Sequence, residues 1–151
     1  MHRFVKLTPG NVLTINGSTA SGKTLLCTKL ANTISDKVLY IDTCGDLTIQ
    51  ALLNRGLNHN PNFVLNNFVG DTTALESTVN AAIDEGYKLI IVDTVPTGYV
   101  YPNIKDTDVS AVVVYQTERQ KPYTGADWLE ISHDELTVFI KKPLGPLYFK
   151  N

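Results

Sequence analysis

The chain has 151 residues, of which 43% are hydrophobic and 19% charged, and its net charge is −2. This composition is typical of a soluble globular protein, and the length predicts a single domain over residues 1–151. The slight negative charge excludes a general basic field for nucleic acid, so any such site must be a local patch.

The two cysteines, Cys27 and Cys44, lie in no C-x-x-C or Cys/His metal pattern. Two isolated thiols do not form a disulfide scaffold, and they favour a reduced, cytoplasmic location. No apolar run approaches the length of a membrane span, and no signal peptide is recognisable. The sequence therefore predicts no membrane partner.

Residues 17–24 fit the pattern G-x-x-x-x-G-K-[ST] at every fixed position. The motif follows an apolar run at 11–16, which predicts a strand, and precedes an amphipathic pattern at 25–34, which predicts a helix. A strand, a glycine-bounded loop and a helix form the context of a phosphate-binding P-loop. A chance glycine-rich turn is the alternative, and the correct flanks on both sides argue against it.

Each residue type in this motif has a chemical reason. Backbone N–H groups form an anion nest, and the helix start adds its positive dipole end. Lys23 is predicted to reach the β- and γ-phosphates, and the Thr24 hydroxyl to ligate Mg²⁺. ATP and Mg²⁺ are the predicted cofactors, and the predicted nucleotide-binding residues are Gly17, Ser18, Thr19, Ala20, Ser21, Gly22, Lys23 and Thr24.

The next segments alternate between strand and helix patterns. In chain order the prediction is a strand at 37–42, a helix at 47–55 ended by Gly56, a short strand at 67–69, and a helix closed by Gly86. The last of these helices is predicted to begin with a capping box formed by Thr73 and Glu76.

Residues 88–93 form a near-continuous apolar run that ends in Asp93. Such a run predicts a parallel strand buried on both faces. Its position after the P-loop makes Asp93 the expected Walker B carboxylate, which would hold a Mg²⁺-bound water beside Thr24. The alternative is an aspartate that caps a turn at the strand end.

The remaining segments favour strands over helices. The prediction is a loop at 96–108, a buried strand at 110–115, a polar stretch at 119–127, and a hairpin formed by 135–141 and 146–150. The predicted fold class is α/β, with a mostly parallel central sheet flanked by helices and with antiparallel strands at the C-terminal edge.

Taken together, the ordered motifs resemble the RecA/RadA recombinase ATPase core, especially its archaeal and eukaryotic branch. The resemblance rests on residues 16–24, 38–43, 88–93, 111–116 and 124–133. It implies a RecA-like ATPase that acts on single-stranded DNA in recombination, annealing or repair. It also implies Lys23 and Asp93 as catalytic residues, together with Gln116 as a nucleotide-sensing residue.

The chain departs from the family at the general base. The family carries a glutamate where this chain has Cys44, and a thiol is a poor substitute for a carboxylate. Asp46 and Glu118 are nearby candidates that do not occupy the matching position. Slow hydrolysis is therefore expected. The segment between Asp93 and Ala111 is also short for the family's helix and first DNA-binding loop, which suggests a minimal core of the kind a virus might encode.

The resemblance places DNA contacts in residues 97–108 and 117–127. Aromatic and cationic side chains suit stacking and phosphate contact. The alternative, favoured for each aromatic residue taken singly, is that it packs against an end of the sheet. The residues concerned are Tyr99, Tyr101, Lys105, Arg119, Lys121, Tyr123 and Trp128.

Three functions remain open from the sequence. The first is a DNA-acting ATPase that works as a homo-oligomer or within a larger replication or recombination assembly. The second is an ATP-binding accessory or regulatory module with little or no hydrolysis. The third is a small-molecule kinase. The lack of an arginine-rich lid argues against it, since the only arginines are Arg3, Arg55 and Arg119.

Overall fold

The computed structural model describes residues 7–17, 23–96, 98–99, 103–115, 127–131, 137–140 and 146–148. Within these ranges, helices and strands alternate in the first half and strands follow one another in the second. The elements are β1 (Val12–Gly17), α1 (Lys23–Ala31), β2 (Val38–Asp42), α2 (Ile49–Asn54), β3 (Phe63–Asn67), α3 (Thr72–Asp84), β4 (Leu89–Asp93), β5 (Ser110–Tyr115), β6 (Asp127–Ile131), β7 (Thr137–Ile140) and β8 (Pro146–Tyr148).

The strands of the described ranges form one eight-stranded sheet in the order β3-β2-β4-β5-β1-β6-β7-β8. The pairings from β3 through to β6 are parallel, and β7 and β8 add to the C-terminal edge in antiparallel pairs. The predicted fold class is therefore confirmed. β5 lies between β1 and β4, so the strand before the P-loop and the strand ending in Asp93 are not direct neighbours.

Two apolar clusters cover the two faces of this sheet. One contains residues of α1 and α2 packed on Leu13, Ile15 and Val112, and the other contains residues of α3 packed on Ile90 and Val113. Strands β2, β4 and β5 are buried along their whole length, as continuous apolar runs predict. Within the described parts of the chain, no helix is long and apolar enough to cross a membrane.

Two local predictions are wrong in the region between β2 and α3. The short strand expected at 67–69 lies at Phe63–Asn67, because Phe63 and Leu65 are the residues that pack on the core there. The capping box expected at Thr73 is replaced by Asp71, whose side chain accepts a hydrogen bond from the Ala74 N–H at 2.8 Å. An aspartate is an equally good N-cap, so the helix begins two residues earlier than its threonine suggested.

A further difference concerns the polar stretch after β5. Residues 127–131 form β6, which pairs in parallel with β1 from Leu13 to Gly17. The sequence there mixes polar and apolar residues and lacks a continuous apolar run, so it was not predicted as a strand. The hairpin expected after it is confirmed as β7 and β8, with the antiparallel register Val138 to Leu147.

Candidate nucleotide-binding site

The predicted site lies at the carboxyl edge of the parallel strands, where ligands of open α/β sheets bind. β1 ends at Gly17, the first residue of the motif, and α1 begins at Lys23, so the last two residues of the motif form the start of the helix. Because α1 starts here, the positive end of its dipole lies at this edge of the sheet. The predicted loop residues Ser18, Thr19, Ala20, Ser21 and Gly22 lie outside the described residues.

The first turn of α1 is joined directly to the end of β4. The Thr24 hydroxyl donates a hydrogen bond to Asp93 Oδ2 at 3.0 Å, across 69 positions of sequence. Asp93 is buried, with 7% of its surface exposed. The two residues predicted for Mg²⁺ binding are thus in contact, and Asp93 bonds to a residue outside its own turn.

The Asp93 carboxylate has a second donor that sequence reasoning missed. The Tyr40 hydroxyl donates to the same Oδ2 atom at 2.5 Å from inside the core. Burial, followed by the nearby Cys27 and Asp93, raises the pKa of Tyr40 well above its ordinary value, so the hydroxyl keeps its proton. Asp93 Oδ1 accepts a longer bond, 3.3 Å, from the Thr94 hydroxyl.

Lys23 is almost enclosed at the start of α1, with 8% of its surface exposed. Burial lowers the pKa of Lys23, and the negative charge of Asp93 opposes that shift. A buried ammonium group at a helix start, held near a carboxylate, suits the binding of a strongly anionic group such as a phosphate.

The neighbouring strand end carries a different carboxylate. Asp42 is the register partner of Asp93 and is 2% exposed. It accepts hydrogen bonds from the N–H groups of Cys44 at 3.0 Å and Leu47 at 2.8 Å, and from the Asn67 amide at 3.1 Å. Asp42 therefore orders the loop that follows β2, and with it the position of Cys44.

The ends of β2 and β4 are also joined through two threonines. The Thr94 N–H donates to Thr43 Oγ1 at 2.9 Å, and the Thr43 hydroxyl donates to the Thr94 carbonyl at 2.6 Å. The Thr43 N–H adds a bond to the Asp93 carbonyl at 3.0 Å. These bonds extend the pairing of the two strands past their last residues and fix the Asp93 backbone.

Cys44 lies in the exposed loop after β2, close to the carboxylates of this edge. Desolvation of the thiol and the charges of Asp42, Asp46 and Asp93 raise the pKa of Cys44 above its ordinary value. The raised pKa leaves less of Cys44 as the thiolate at neutral pH than in an isolated cysteine, and only the thiolate could accept a proton. Asp46 is exposed in the same loop, whereas Gln116 and Glu118 lie outside the described residues.

The predicted DNA-contact residues fall into separate groups. Tyr99 is 1% exposed and packs in the cluster with Ile104 and Val109, so its ring is part of the core and does not stack on a base. Lys105 is exposed, and the backbone of its neighbours Ile104 and Asp106 lies close to Gly10, just before the amino end of β1. Trp128 belongs to β6, where it is the register partner of Thr14 in β1. Tyr101, Arg119, Lys121 and Tyr123 lie outside the described residues.

Comparison with known proteins identifies the fold. One solved structure with a similar fold is the crystal structure of the RadB recombinase, with a TM-score of 0.58 over 82% of this chain and 75% of that chain. This chain has a RecA-like fold. The sequence identity of that match is 22%. No protein-family model and no curated protein matches the sequence.

The candidate site contains four residues that sequence reasoning did not identify: Tyr40, Asp42, Thr43 and Thr94. Asp42 carried a usable signal, because it ends an apolar strand just as Asp93 does. Tyr40 carried a weaker one: it lies two positions before Asp42, and alternate residues of a strand share a face. Neither signal indicates which donors meet the carboxylates, because those donors come from other elements.

Proposed function

We propose that this chain is a RecA-like P-loop protein that binds ATP with Mg²⁺ at residues 17–24 and hydrolyses it slowly. The observation that carries the proposal is the 3.0 Å contact between the Thr24 hydroxyl and Asp93. A hydroxyl and a carboxylate at a helix start are oxygen ligands of the kind Mg²⁺ prefers. The domain proposed to do this spans residues 1–151, and its two free cysteines suit a reduced cytoplasm.

The residues present fit a metal that takes most of its ligands from phosphate and water. Among the described residues, no group of three or more His, Cys, Asp or Glu could hold a metal ion by itself. Mg²⁺ is commonly bound through one or two protein groups together with substrate phosphates. Thr24 would hold it directly and Asp93 through water. The ion, when bound, would neutralise phosphate charge.

Each side chain of the site then has a separate task. Lys23 would contact the terminal phosphates as a charge-assisted donor. Asp93 accepts the hydrogen bond from the Thr24 hydroxyl, which leaves the lone pairs of that hydroxyl available on the side away from the carboxylate. The Thr43 and Thr94 bonds hold the Asp93 backbone, so the carboxylate does not need to be reorganised when the nucleotide binds.

Slow turnover follows from the residue at the general-base position. A positioned base typically contributes about 10² to 10⁴ in rate. Cys44 has a raised pKa and is a poor proton acceptor at neutral pH. Asp46 is the described carboxylate in the same loop that could assist, and Glu118 is a further candidate from the sequence.

The proposed role is the handling of single-stranded DNA in recombination, annealing or repair. Its support is the RecA-like fold shared with a protein titled a recombinase. A net charge of −2 predicts modest affinity that falls steeply with salt. A homo-oligomer, in which a neighbouring copy supplies a cation such as Arg119 or Lys121 to the phosphates, is part of this proposal.

One observation favours a second function, an accessory or regulatory module that holds ATP without useful hydrolysis. It is the combination of Cys44 at the general-base position with carboxylates that raise the pKa of its thiol. Nucleotide turnover measured with and without single-stranded DNA separates the two functions. Stimulation by DNA supports the ATPase, and ATP binding without turnover in either condition supports the module.

Calorimetric titration of ATP in the presence of Mg²⁺ tests the site itself. Lys23→Ala removes a charge-assisted phosphate contact and should weaken binding by about 10- to 100-fold. Lys29→Ala is the matched control, because Lys29 lies in the last turn of the same helix. Equal affinity of wild type and Lys23→Ala would contradict the proposed site.

Assembly and DNA binding need a separate measurement. Sedimentation with a non-hydrolysable ATP analogue should show a larger species than sedimentation without nucleotide. Fluorescence anisotropy with labelled single strands at low salt should show weak binding with little sequence preference. A strict monomer with no DNA signal would contradict this part of the proposal and favour the accessory module.

A further inference from the structure

Tyr40 occupies an unusual place for a polar group: the middle of a strand in the core. It is fully buried, and its ring lies 6.3 Å from that of Phe63, at an interplanar angle of 49°. Its hydroxyl nevertheless reaches Asp93 Oδ2 at 2.5 Å. A buried phenol normally needs such a partner, so the contact satisfies Tyr40.

The two oxygens of the Asp93 carboxylate have different surroundings. Oδ2 accepts the hydroxyls of Thr24 at 3.0 Å and Tyr40 at 2.5 Å. A carboxylate oxygen has about two lone-pair directions, so these two donors fill Oδ2. Oδ1 accepts the Thr94 hydroxyl at 3.3 Å and has no second donor among the described residues, so one of its lone pairs can accept a further donor.

This asymmetry requires Tyr40. With Thr24 as the sole donor to Oδ2, the carboxylate could rotate about its Cβ–Cγ bond, because that torsion is broad and roughly two-fold. Two donors that approach Oδ2 from α1 and β2 fix both the rotation and the identity of the outward oxygen. The packing of Tyr40 against Phe63 fixes the second donor in turn.

We propose that Tyr40 is a positioning residue that holds Asp93 so that Oδ2 faces Thr24 and Oδ1 is free to accept a Mg²⁺-bound water. This inference rests on the proposed function, since it assigns a role within the same nucleotide site. It predicts that Tyr40 acts on the metal dependence of nucleotide binding and leaves the phosphate contacts of Lys23 unchanged.

The test compares Tyr40→Phe with wild type in two titrations. ATP affinity is measured by calorimetry without divalent ions and over a series of Mg²⁺ concentrations. Tyr40→Phe keeps the ring and removes the hydroxyl, so affinity without Mg²⁺ should stay within about twofold of wild type, while the Mg²⁺ midpoint should rise by about tenfold. Electron paramagnetic resonance of Mn²⁺ with ATP and protein reports the metal directly.

The matched control is Tyr115→Phe. Tyr115 is a second buried phenol of the sheet, but it belongs to the cluster on the opposite face from Tyr40. Loss of the Tyr115 hydroxyl should leave the Mg²⁺ midpoint at the wild-type value. Thr24→Val serves as the reference for loss of the metal ligand and should shift the midpoint at least as far as Tyr40→Phe.

The outcomes distinguish the two claims. If wild type shows Mg²⁺-dependent ATP binding and Tyr40→Phe has the same midpoint while Thr24→Val does not, the role of Tyr40 is overturned and the nucleotide site stands. If wild type shows no Mg²⁺-dependent ATP binding, the proposed function fails and the role of Tyr40 fails with it. If the Mg²⁺ midpoint shifts in Tyr40→Phe and stays unchanged in Tyr115→Phe, the result supports the positioning role of Tyr40.

A second measurement applies if Tyr40→Phe does not fold. Wild-type protein labelled with ¹³C at the tyrosine ring carbon that bears the hydroxyl reports hydrogen bonding at Tyr40. Addition of Mg²⁺ to the ATP complex should shift the Tyr40 resonance, because a metal-bound water on Oδ1 changes the charge that Oδ2 presents. An unchanged Tyr40 resonance, with metal binding demonstrated in the same sample, would overturn the inference.

Discussion

The carboxyl edge of the sheet holds two aspartates that look alike in sequence and differ in their bonding. Asp42 and Asp93 each end a buried strand, are register partners, and are 2% and 7% exposed. Asp42 accepts two backbone N–H groups within five residues and the amide of Asn67. The carboxylate of Asp93 accepts only hydroxyls, from Thr24, Tyr40 and Thr94, among the described residues.

The kind of donor separates a carboxylate that builds a loop from one that can serve a ligand. A backbone N–H can only donate, and its partner is fixed by the path of the chain. A hydroxyl donates one proton and keeps two acceptor lone pairs. The hydroxyls around Asp93 can therefore join a network with water, metal and phosphate, whereas the amides around Asp42 cannot. The comparison predicts opposite effects when each carboxylate is changed.

Asp93→Asn should give the largest functional effect. The substitution keeps an acceptor oxygen for Thr24 and Tyr40 but removes the charge that would hold metal-bound water. Loss of such a supporting group typically costs about 10- to 100-fold in metal affinity or activity. Phosphate release should fall accordingly, measured with Mg²⁺ varied at saturating ATP, and the unfolding midpoint in urea should change little.

Asp42→Asn is the matched control for that experiment and should leave ATP affinity nearly unchanged at temperatures well below unfolding. Equal losses of turnover in the two variants would contradict the distinction between the carboxylates. A loss confined to Asp42→Asn would reverse their roles.

Asp42→Asn should instead lower the free energy of unfolding by about 2 kcal/mol. An asparagine offers one acceptor oxygen and turns an amide N–H₂ toward the donors of Cys44, Leu47 or Asn67, so at least one buried donor loses its partner. Urea denaturation followed by circular dichroism measures the change. Asp46→Asn, an exposed aspartate of the same loop, should shift the curve by less than about 0.5 kcal/mol.

The sequence predicted the parts of this arrangement that local patterns determine. The helix that begins at Lys23, the buried strand that ends in Asp93 and the order of most elements follow from spacing and composition alone. The bonding of Asp42 to Asn67 depends on the position of β3. The sequence predicted this strand too late in the chain, because the polar turn at 58–62 obscures the start of its apolar pattern. The Tyr40 contact depends on the register of β2 with β4 and on the packing of α1, which no local pattern specifies.

Cys44→Glu tests the loop that Asp42 orders. The glutamate would place a carboxylate at the position where the RecA/RadA family carries its base, and turnover should rise by about tenfold, below the full contribution of an optimised base. Cys44→Gln is the matched control of the same size without a base. It should leave turnover at the wild-type level.

A contrary result for Cys44 has a clear meaning. If the wild type turns over rapidly, is insensitive to Asp46→Ala and Glu118→Ala, and is slowed by Cys44→Glu, then Cys44 does not occupy the position of the base. The loop after β2 would then have a structural role, like that of Asp42, and no role in hydrolysis.

The smallest expected effect is on the reactivity of Cys44. This reactivity reports how the carboxylates at the carboxyl edge of the sheet affect the thiol. Desolvation and the charges of Asp42, Asp46 and Asp93 disfavour the thiolate, so the pKa of Cys44 lies above its ordinary value. Since the thiolate is the nucleophile, alkylation by iodoacetamide at neutral pH should be slow and should rise with pH only above the range of an ordinary thiol. Cys27 is 0% exposed and should not react in the folded protein.

Asp46→Asn removes one of the charges that disfavour the Cys44 thiolate. It should therefore lower the pKa of Cys44 and raise the alkylation rate at neutral pH by about two- to threefold. The rise should be smaller in 1 M salt, because exposed charges are then screened over about 3 Å. An alkylation profile identical to that of free cysteine would show that the carboxylates do not act on the thiol, and would remove the electrostatic reason for expecting slow hydrolysis.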